Sequence, residues 1–311
     1  MGHDPLPYRW AGWAARECPP DQRHGDVQFG GGLRRKAVVG QLNEVVDLLH
    51  GTHPPDVHTE LYRVTADLAE TAGNVLWDSG QRGRAQHYFT LGIKAASQAG
   101  DRPLAAHILA TMAVQAVESR DLHGGLDLIQ LAQHGIRRTP LPRMTAMLAT
   151  REGWIYAQLG RVQDCHRAIG YAEEAFAGTC DGDAPTWLDY FTAAELAGST
   201  ASDYRDLAVH DPAQFQRSAH RFERALTLRG DQSLRSRVFD LTELANVHIR
   251  QGNVEQGCVI GHRAADTARS LNSYRVNQRL TNLLAATEPY RTLTVVTELR
   301  EHIDALVEPA L

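Results

Sequence analysis

Residues Ala72 to Gly92 read A-G-N-V-L-W-D-S-G-Q-R-G-R-A-Q-H-Y-F-T-L-G, and this stretch decides the fold. It spells helix, tight turn, helix, with Gly80 at the turn. Gly73, Ala85 and Gly92 are small enough to let two antiparallel helices approach closely, and Phe89 is placed to fill the space between them. Four other stretches repeat this register. The small residue seven positions before each turn is Gly73, Ala113, Gly153, Ala201 and Ala245. Its counterpart in the following helix is Ala85, Gly125, Cys165, Ser218 and Gly257. Phe89, Ile129, Ile169, Phe222 and Gly261 come four residues later, and Gly92, Ala132, Ala172, Ala225 and Ala264 three beyond those. Successive repeats are 40, 40, 53 and 39 residues apart. A fixed period in this range marks stacked helical hairpins. The expected fold is therefore all-α, a right-handed solenoid of tetratricopeptide type, with helices longer than a 34-residue repeat needs.

Working outward, the spacing predicts hairpin helices over 57–79 and 82–99, 102–119 and 122–137, 140–159 and 162–177, 187–208 and 212–229, and 234–251 and 254–271. A helix over 33–49 precedes them; helices over 273–287 and 292–307, separated by Pro289, close the stack. Gly100 suits a left-handed helix end and Asp101 a cap. Thr139-Pro140 and Asp211-Pro212 put a capping oxygen before a first-turn proline, and Asn253 with Gln256 resembles a capping box. Gly178 to Pro185 carries most of the insertion that lengthens one spacing to 53. Residues 1–28, rich in Pro, Gly, Arg and Trp without a period, read as an irregular segment, with Trp10 and Trp13 able to dock on the first face. Residues 29–311 read as a single solenoid domain.

Composition excludes several classes. At 311 residues and 43% hydrophobic content there is ample core, and the net charge of −5 supplies no general attraction for nucleic acid. No apolar run approaches the ~18 residues of a membrane helix, and the first residues lack a signal or lipidation pattern. The four cysteines, Cys18, Cys165, Cys180 and Cys258, form no C-x-x-C pair, and Cys165 takes a packing position that suits a reduced thiol. The expected location is cytoplasmic.

In a hairpin solenoid the first helices line the concave face, the usual binding surface. Positions thirteen, ten, six and three before each turn share one stripe. They read Asp67, Glu70, Asn74, Trp77; His107, Ala110, Val114, Val117; Met147, Thr150, Trp154, Ala157; Glu195, Gly198, Ser202, Arg205; and Phe239, Thr242, Asn246, Ile249. The candidate ligand-binding residues are Glu70, Asn74, Trp77, His107, Trp154, Arg205 and Asn246. Amides offer both donor and acceptor to a peptide backbone, and indoles anchor apolar groups. The alternative is that the tryptophans pack and the charges are a solvated face. If the protein were an enzyme, His107 with Glu70 or Glu195 would be its acid–base pair, which requires them to be close together in a pocket.

Other motifs are weak. Gly30 to Gly32 lacks the ending of a phosphate loop, His50, His53 and His58 have no regular ligand spacing, and Asp181-Gly182-Asp183 lacks the glutamate of a calcium loop. No nucleophile elbow is present. No metal and no cofactor are expected.

Several stretches also resemble a known family: Phe29 to Gly40, Gly73 to Gly80, Gln86 to Phe89, Trp187 to Phe191 and Leu234 to Val238. They are similar to the tetratricopeptide-like sensor region of large actinobacterial transcriptional regulators, in which an XRE-type helix-turn-helix domain comes first. The resemblance spans roughly residues 27–308. It implies a regulatory module that binds a peptide or small molecule in its concave groove, or a protein partner. The ~28 residues before Phe29 are too few for a helix-turn-helix domain, so this chain alone is not expected to bind DNA directly. The alternatives are a protein–protein scaffold without a small ligand, and a regulator-like scaffold recruited as an enzyme in secondary metabolism.

Overall fold

The structure, a computed structural model, describes residues 31–138, 141–179, 184–230, 233–271 and 273–307. Among these, every regular element is helical. Helix α1 (Gly31–Leu49) leads into five hairpins: α2 (Pro55–Asp78) with α3 (Arg82–Gln98), α4 (Arg102–Glu118) with α5 (Leu122–Ile136), α6 (Pro142–Gln158) with α7 (Val162–Ala177), α8 (Ala193–Leu207) with α9 (Gln214–Leu228), and α10 (Leu234–Arg250) with α11 (Val254–Ala268). Helices α12 (Tyr274–Thr287) and α13 (Thr294–Val307) follow. Each hairpin packs most extensively within itself, and first helices also touch first helices of neighbouring hairpins. The chain is a tetratricopeptide-like helical solenoid.

The register is the one the small residues dictate. All of its positions, from Gly73, Ala85, Phe89 and Gly92 through Ala245, Gly257, Gly261 and Ala264, are buried. A methyl group on Gly73 would lie 2.6 Å from the Phe89 ring, and one on Gly257 2.5 Å from Ile249. Atoms do not approach so closely, so the hairpins close only because these positions lack a side chain.

Four of the five hairpin turns share one hydrogen bond. Gln81, Asp121, Arg161 and Asn253 each donate a backbone N–H to the carbonyl five residues earlier (Leu76, Ala116, Tyr156 and His248), all at 2.9 Å. This is the bond that ends a helix on a left-handed residue. Gly80, Gly160 and Gly252 supply that residue, and in the second hairpin Arg120 adopts it at φ +68°. Gly100 does the same between hairpins, and the Asp101 side chain accepts from Leu104 N–H at 3.0 Å as a cap.

Some expectations are corrected. Asn253 makes no side-chain cap bond, and its backbone N–H, which Gln256 would accept in a capping box, goes instead to the His248 carbonyl. Helix α9 begins at Gln214 rather than 212; Asp211 accepts from Ala213 N–H and from the Gln214 side chain. Helix α6 begins at Pro142, while Thr139-Pro140 lie outside the described residues. The predicted helix over 187–208 is two elements: a 3-10 turn, Thr186–Leu188, then α8 from Ala193. Leu188 and Phe191 are buried in the core of hairpins two and three, and that packing holds the segment off the helix axis. The irregular segment 1–28 and Asp181-Gly182-Asp183 lie outside the described residues. Cys165 and Cys258 are buried free thiols, and burial pushes both thiols up. Among the described residues no helix is long and apolar enough to cross a membrane.

The core falls into blocks. One large cluster joins hairpins two and three, and another joins hairpins four and five with α12 and α13. Between them, at the insertion, lies a small cluster of Ala157, Cys165, Ile169, Tyr204 and Leu207. There α6 and α8 run in direct contact, with buried polar groups at the seam.

Candidate binding face

The first helices form one rank, and the predicted stripe runs along it unevenly. Glu70, His107, Thr150 and Asn246 are buried, whereas Asn74, Trp77, Trp154, Glu195, Arg205 and Phe239 are half-buried. The cause is geometric: first helices pack on one another, so part of the stripe faces the neighbouring hairpin rather than solvent.

At one end, Glu70 on α2 and His107 on α4 meet, with His107 Nε2 at 3.0 Å from Glu70 Oε1. Thr111 donates its hydroxyl to the same oxygen at 3.4 Å. The Trp187 ring lies 4.8 Å from the imidazole and Tyr190 6.2 Å. Glu70 is 6% and His107 7% exposed, and His107 Nδ1 has no hydrogen-bond partner. The sequence placed Trp187 in a helix; as part of the irregular connection it instead covers the pair. Tyr190 is also held by Arg151, whose guanidinium donates to its hydroxyl at 3.4 Å. Burial pushes the Tyr190 hydroxyl up, against the opposing pull of Arg151. Glu195, the other candidate acid, accepts from Arg229 at 2.9 Å and is not paired with His107.

Further along, ion pairs link successive first helices. Trp154 on α6 donates its indole N–H to Asp206 Oδ2 at 2.9 Å. The other Asp206 oxygen accepts from Arg205 at 2.7 Å. Arg205 on α8 reaches Glu243 on α10 at 2.5 Å, and the second Glu243 oxygen accepts from Arg279 on α12. Burial alone would lower the Arg205 guanidinium; Glu243 and Asp206 outweigh it and push it up. Burial would likewise raise Glu243, but Arg205 and Arg279 hold it below the ordinary carboxylate range. Arg229, with Glu195 and Asp240, forms a parallel link from α8 to α10. Asp206 and Glu243 are each shared between two donors, and Arg229 between two carboxylates, so the face is a network of paired charges.

Three candidates stand apart from both groups. Trp77 lies beneath the Arg82 guanidinium at 5.3 Å, within its own hairpin. Asn74, three residues before it, is half-buried. Asn246 is 8% exposed, and its Oδ1 has no hydrogen-bond partner. The structure thus brings Glu70 to His107 and ties Trp154 to Arg205 through Asp206, without gathering all seven. Sequence reasoning missed Asp206, Glu243, Arg279, Trp187 and Tyr190. The first two directly follow stripe residues, Arg205 and Thr242, and only a wider stripe would have included them.

No metal-holding group of three or more His, Cys, Asp or Glu occurs among the described residues. His53 instead bonds the Leu48 carbonyl at 2.7 Å, and His58 packs edge-on against Tyr62. An open cleft of about 450 Å³ is lined by residues that include Gln216, His220, Glu223, His248 and Asn253, and none of the candidate residues lines it.

No protein-family model matches the chain. No curated protein matches it. Among solved structures the chain is similar to a Rap protein complexed with competence and sporulation factor, at 11% identity over 87% of each chain and a TM-score of 0.41. A likeness that weak carries no argument about this chain.

Proposed function

We propose that the protein is a regulatory binding module whose first-helix rank takes a peptide or small-molecule ligand. The observation that supports this reading is the chain of contacts from Trp154 through Asp206, Arg205 and Glu243 to Arg279. It places half-buried aromatic and charged groups on α6, α8 and α12, joined through the buried Glu243 on α10, where a pure packing surface would be apolar. Because those contacts join separate hairpins, a ligand that competes for them changes how the hairpins stack, and it acts only through its differential affinity for the two arrangements. The resemblance to the sensor region of XRE-type actinobacterial regulators points the same way. Native mass spectrometry of the chain isolated from its source is expected to show a bound peptide or metabolite. Calorimetry with that ligand is then expected to find Trp77→Ala and Trp154→Ala each about thirtyfold weaker, the cost of losing an aromatic anchor. Parent-like binding with a lowered melting point would reassign both to packing.

A second reading, acid–base catalysis, has one observation in its favour: His107 and Glu70 are 3.0 Å apart. Their burial beneath Trp187 leaves a substrate little access. Turnover of a substrate that His107→Gln abolishes would establish it over the binding reading. A protein bound in place of any small ligand would make the module a scaffold.

A further inference from the structure

The joint between hairpins three and four is built unlike the others. At the other three joints the second helix of one hairpin leans on the first helix of the next, as α5 does on α6. Here most of the contact runs between two first helices, α6 and α8. Hairpins one to three share their core through α4, whose Leu104 and Ile108 serve one cluster and Ala106 and Ala110 the next. Hairpins four and five share another with α12 and α13. The smallest of the four apolar clusters, around Cys165 and Ile169, fills the joint between these two blocks, with half-buried Leu196 beside it. A carboxyl lies in the same seam. Asp203 on α8 is 1% exposed, and its Oδ2 has no hydrogen-bond partner. That oxygen faces α6 at Gly153, where a methyl group would lie 3.0 Å from it. The charged groups around it are committed elsewhere. On α8, Arg205 pairs with Asp206 and Glu243; on α9, Arg221 donates to Glu173 of α7 and to Thr200. From α7 come the buried thiol of Cys165 and His166, whose ring lies 5.8 Å from that of Tyr204. Burial and then Asp206 raise the Asp203 carboxyl, against the pull of Arg205 and Arg221. A neutral carboxyl fits such a seam; a carboxylate there would lack water and stand near the like charge of Asp206.

We propose that the α6–α8 joint is a proton-operated hinge, closed while Asp203 holds its proton and opened when the carboxyl ionises and draws water into the seam. The proton passes to bulk water, and the two blocks on either side move as units. Opening is least costly at this joint because only the smallest apolar cluster parts, and it lets the orphaned oxygen find a partner in water. Trp154 donates to Asp206 across the same joint, so a ligand that takes the indole away acts on the hinge as well. The hinge does not depend on that ligand, and it is tested without one.

The test is electron–electron distance measurement on the full chain, with nitroxides attached through ketone-bearing residues at the exposed positions Gln86, Gln163, Gln256 and Asp304. The pair at Gln163 on α7 and Gln256 on α11 spans the joint; Gln86 with Gln163, and Gln256 with Asp304, each lie within one block. Between about pH 5 and about pH 9, a range that covers a buried carboxyl, a second distance across the joint is expected to become at least tenfold more populated. The distances within each block should stay fixed. Asp203→Asn, neutral at every pH, should hold the joint closed throughout, with circular dichroism confirming its helices. Asp203→Ser serves as the neutral variant if Asn does not fit the seam. A cross-joint distance that does not respond to pH overturns the hinge and leaves the binding reading standing. An equal response in the neutral variant also overturns it, by moving the titration to another group such as His166. A pH response within either block would show that the joint is not where the molecule yields, and overturns the hinge too.

Discussion

Small residues at the helix contacts hold this molecule together, and one of them, Gly153, stands at the seam between hairpins three and four. A methyl group on Gly153 would lie 3.0 Å from Asp203 Oδ2 and 3.5 Å from the Ala168 side chain. Gly153 therefore spaces its own hairpin and the next one at once. Gly153→Leu is predicted to destabilise by overpacking, typically ~1–3 kcal/mol, measured as a lower urea midpoint. An unchanged midpoint would mean that α6 does not sit against α7 and α8 as described. Asp203 is 1% exposed, and its Oδ2 has no hydrogen-bond partner. Burial, then the neighbouring Asp206, raises its carboxyl well above the ordinary range, so it stays protonated when the unfolded chain has already ionised. A raised carboxyl stabilises the fold fully below its unfolded value, and that contribution is lost as pH rises toward its folded value. Asn does not titrate. The stability of Asp203→Asn relative to the parent should therefore improve between about pH 4 and pH 8; a constant difference would show that Asp203 ionises in place.

At the scale of one element, the docking of α13 joins apolar packing to a titratable contact. Val296, Leu299 and Ile303 bury the helix against α11, and a methyl group on Gly261 would lie 2.9 Å from Leu299. Beside them, His262 Nδ1 and His302 Nδ1 are 2.8 Å apart with the rings stacked. Such a contact holds one proton between the two nitrogens, so one ring must accept. Arg269 reaches His302 Nε2 at 2.9 Å, and Asp266 lies 3.5 Å from the same nitrogen. Burial and then His302 depress His262, against the opposing pull of Asp266 and Glu298. A depressed histidine contributes stability above its unfolded value near 6.5, and that contribution is lost as pH falls through the folded value. Amide exchange across Thr294–Val307, corrected for intrinsic rates, is predicted to quicken as pH drops from about 7.5 to 5.5. His302→Leu should flatten the dependence; a profile already flat in the parent would remove the histidine pair from the docking of α13.

For the molecule as a whole, Glu243 is the joint. It is buried on α10 and accepts from Arg205 on α8 and Arg279 on α12. Removing one member of a buried ion pair leaves its partner uncompensated, at about 3–5 kcal/mol. Glu243→Gln is predicted to cost a large part of that and to loosen the stacking of hairpins four and five and α12, read as a lower melting point with faster exchange in α8 and α12. A loss below about 1 kcal/mol would place the pair in the class of weak surface bridges. The same saturation bears on nucleic acid. The net charge is −5, and Arg205, Arg229 and Arg279 are bound to carboxylates of the chain itself. Gel-shift assays are expected to show no sequence-dependent binding of duplex DNA, and a salt-sensitive specific shift would contradict that.

By itself, the sequence determined the hairpins, because their register depends on local spacings: a small residue, a turn, a small residue and an apolar filler. Those spacings repeat, and Gly73, Ala85, Phe89 and Gly92 meet in space for the same reason that they recur in the chain. The stripe of candidate residues was legible too, as positions on the first helices. What those residues touch was not. Trp154 meets Asp206, 52 residues away, and Glu70 meets Thr111, 41 away. Such pairs depend on how far each hairpin is displaced over the last, and no local spacing encodes that offset. The irregular connection is a sharper case. Trp187 covers His107 because buried Leu188 and Phe191 draw the segment out of helical register, and only the tertiary core decides where such a segment lies.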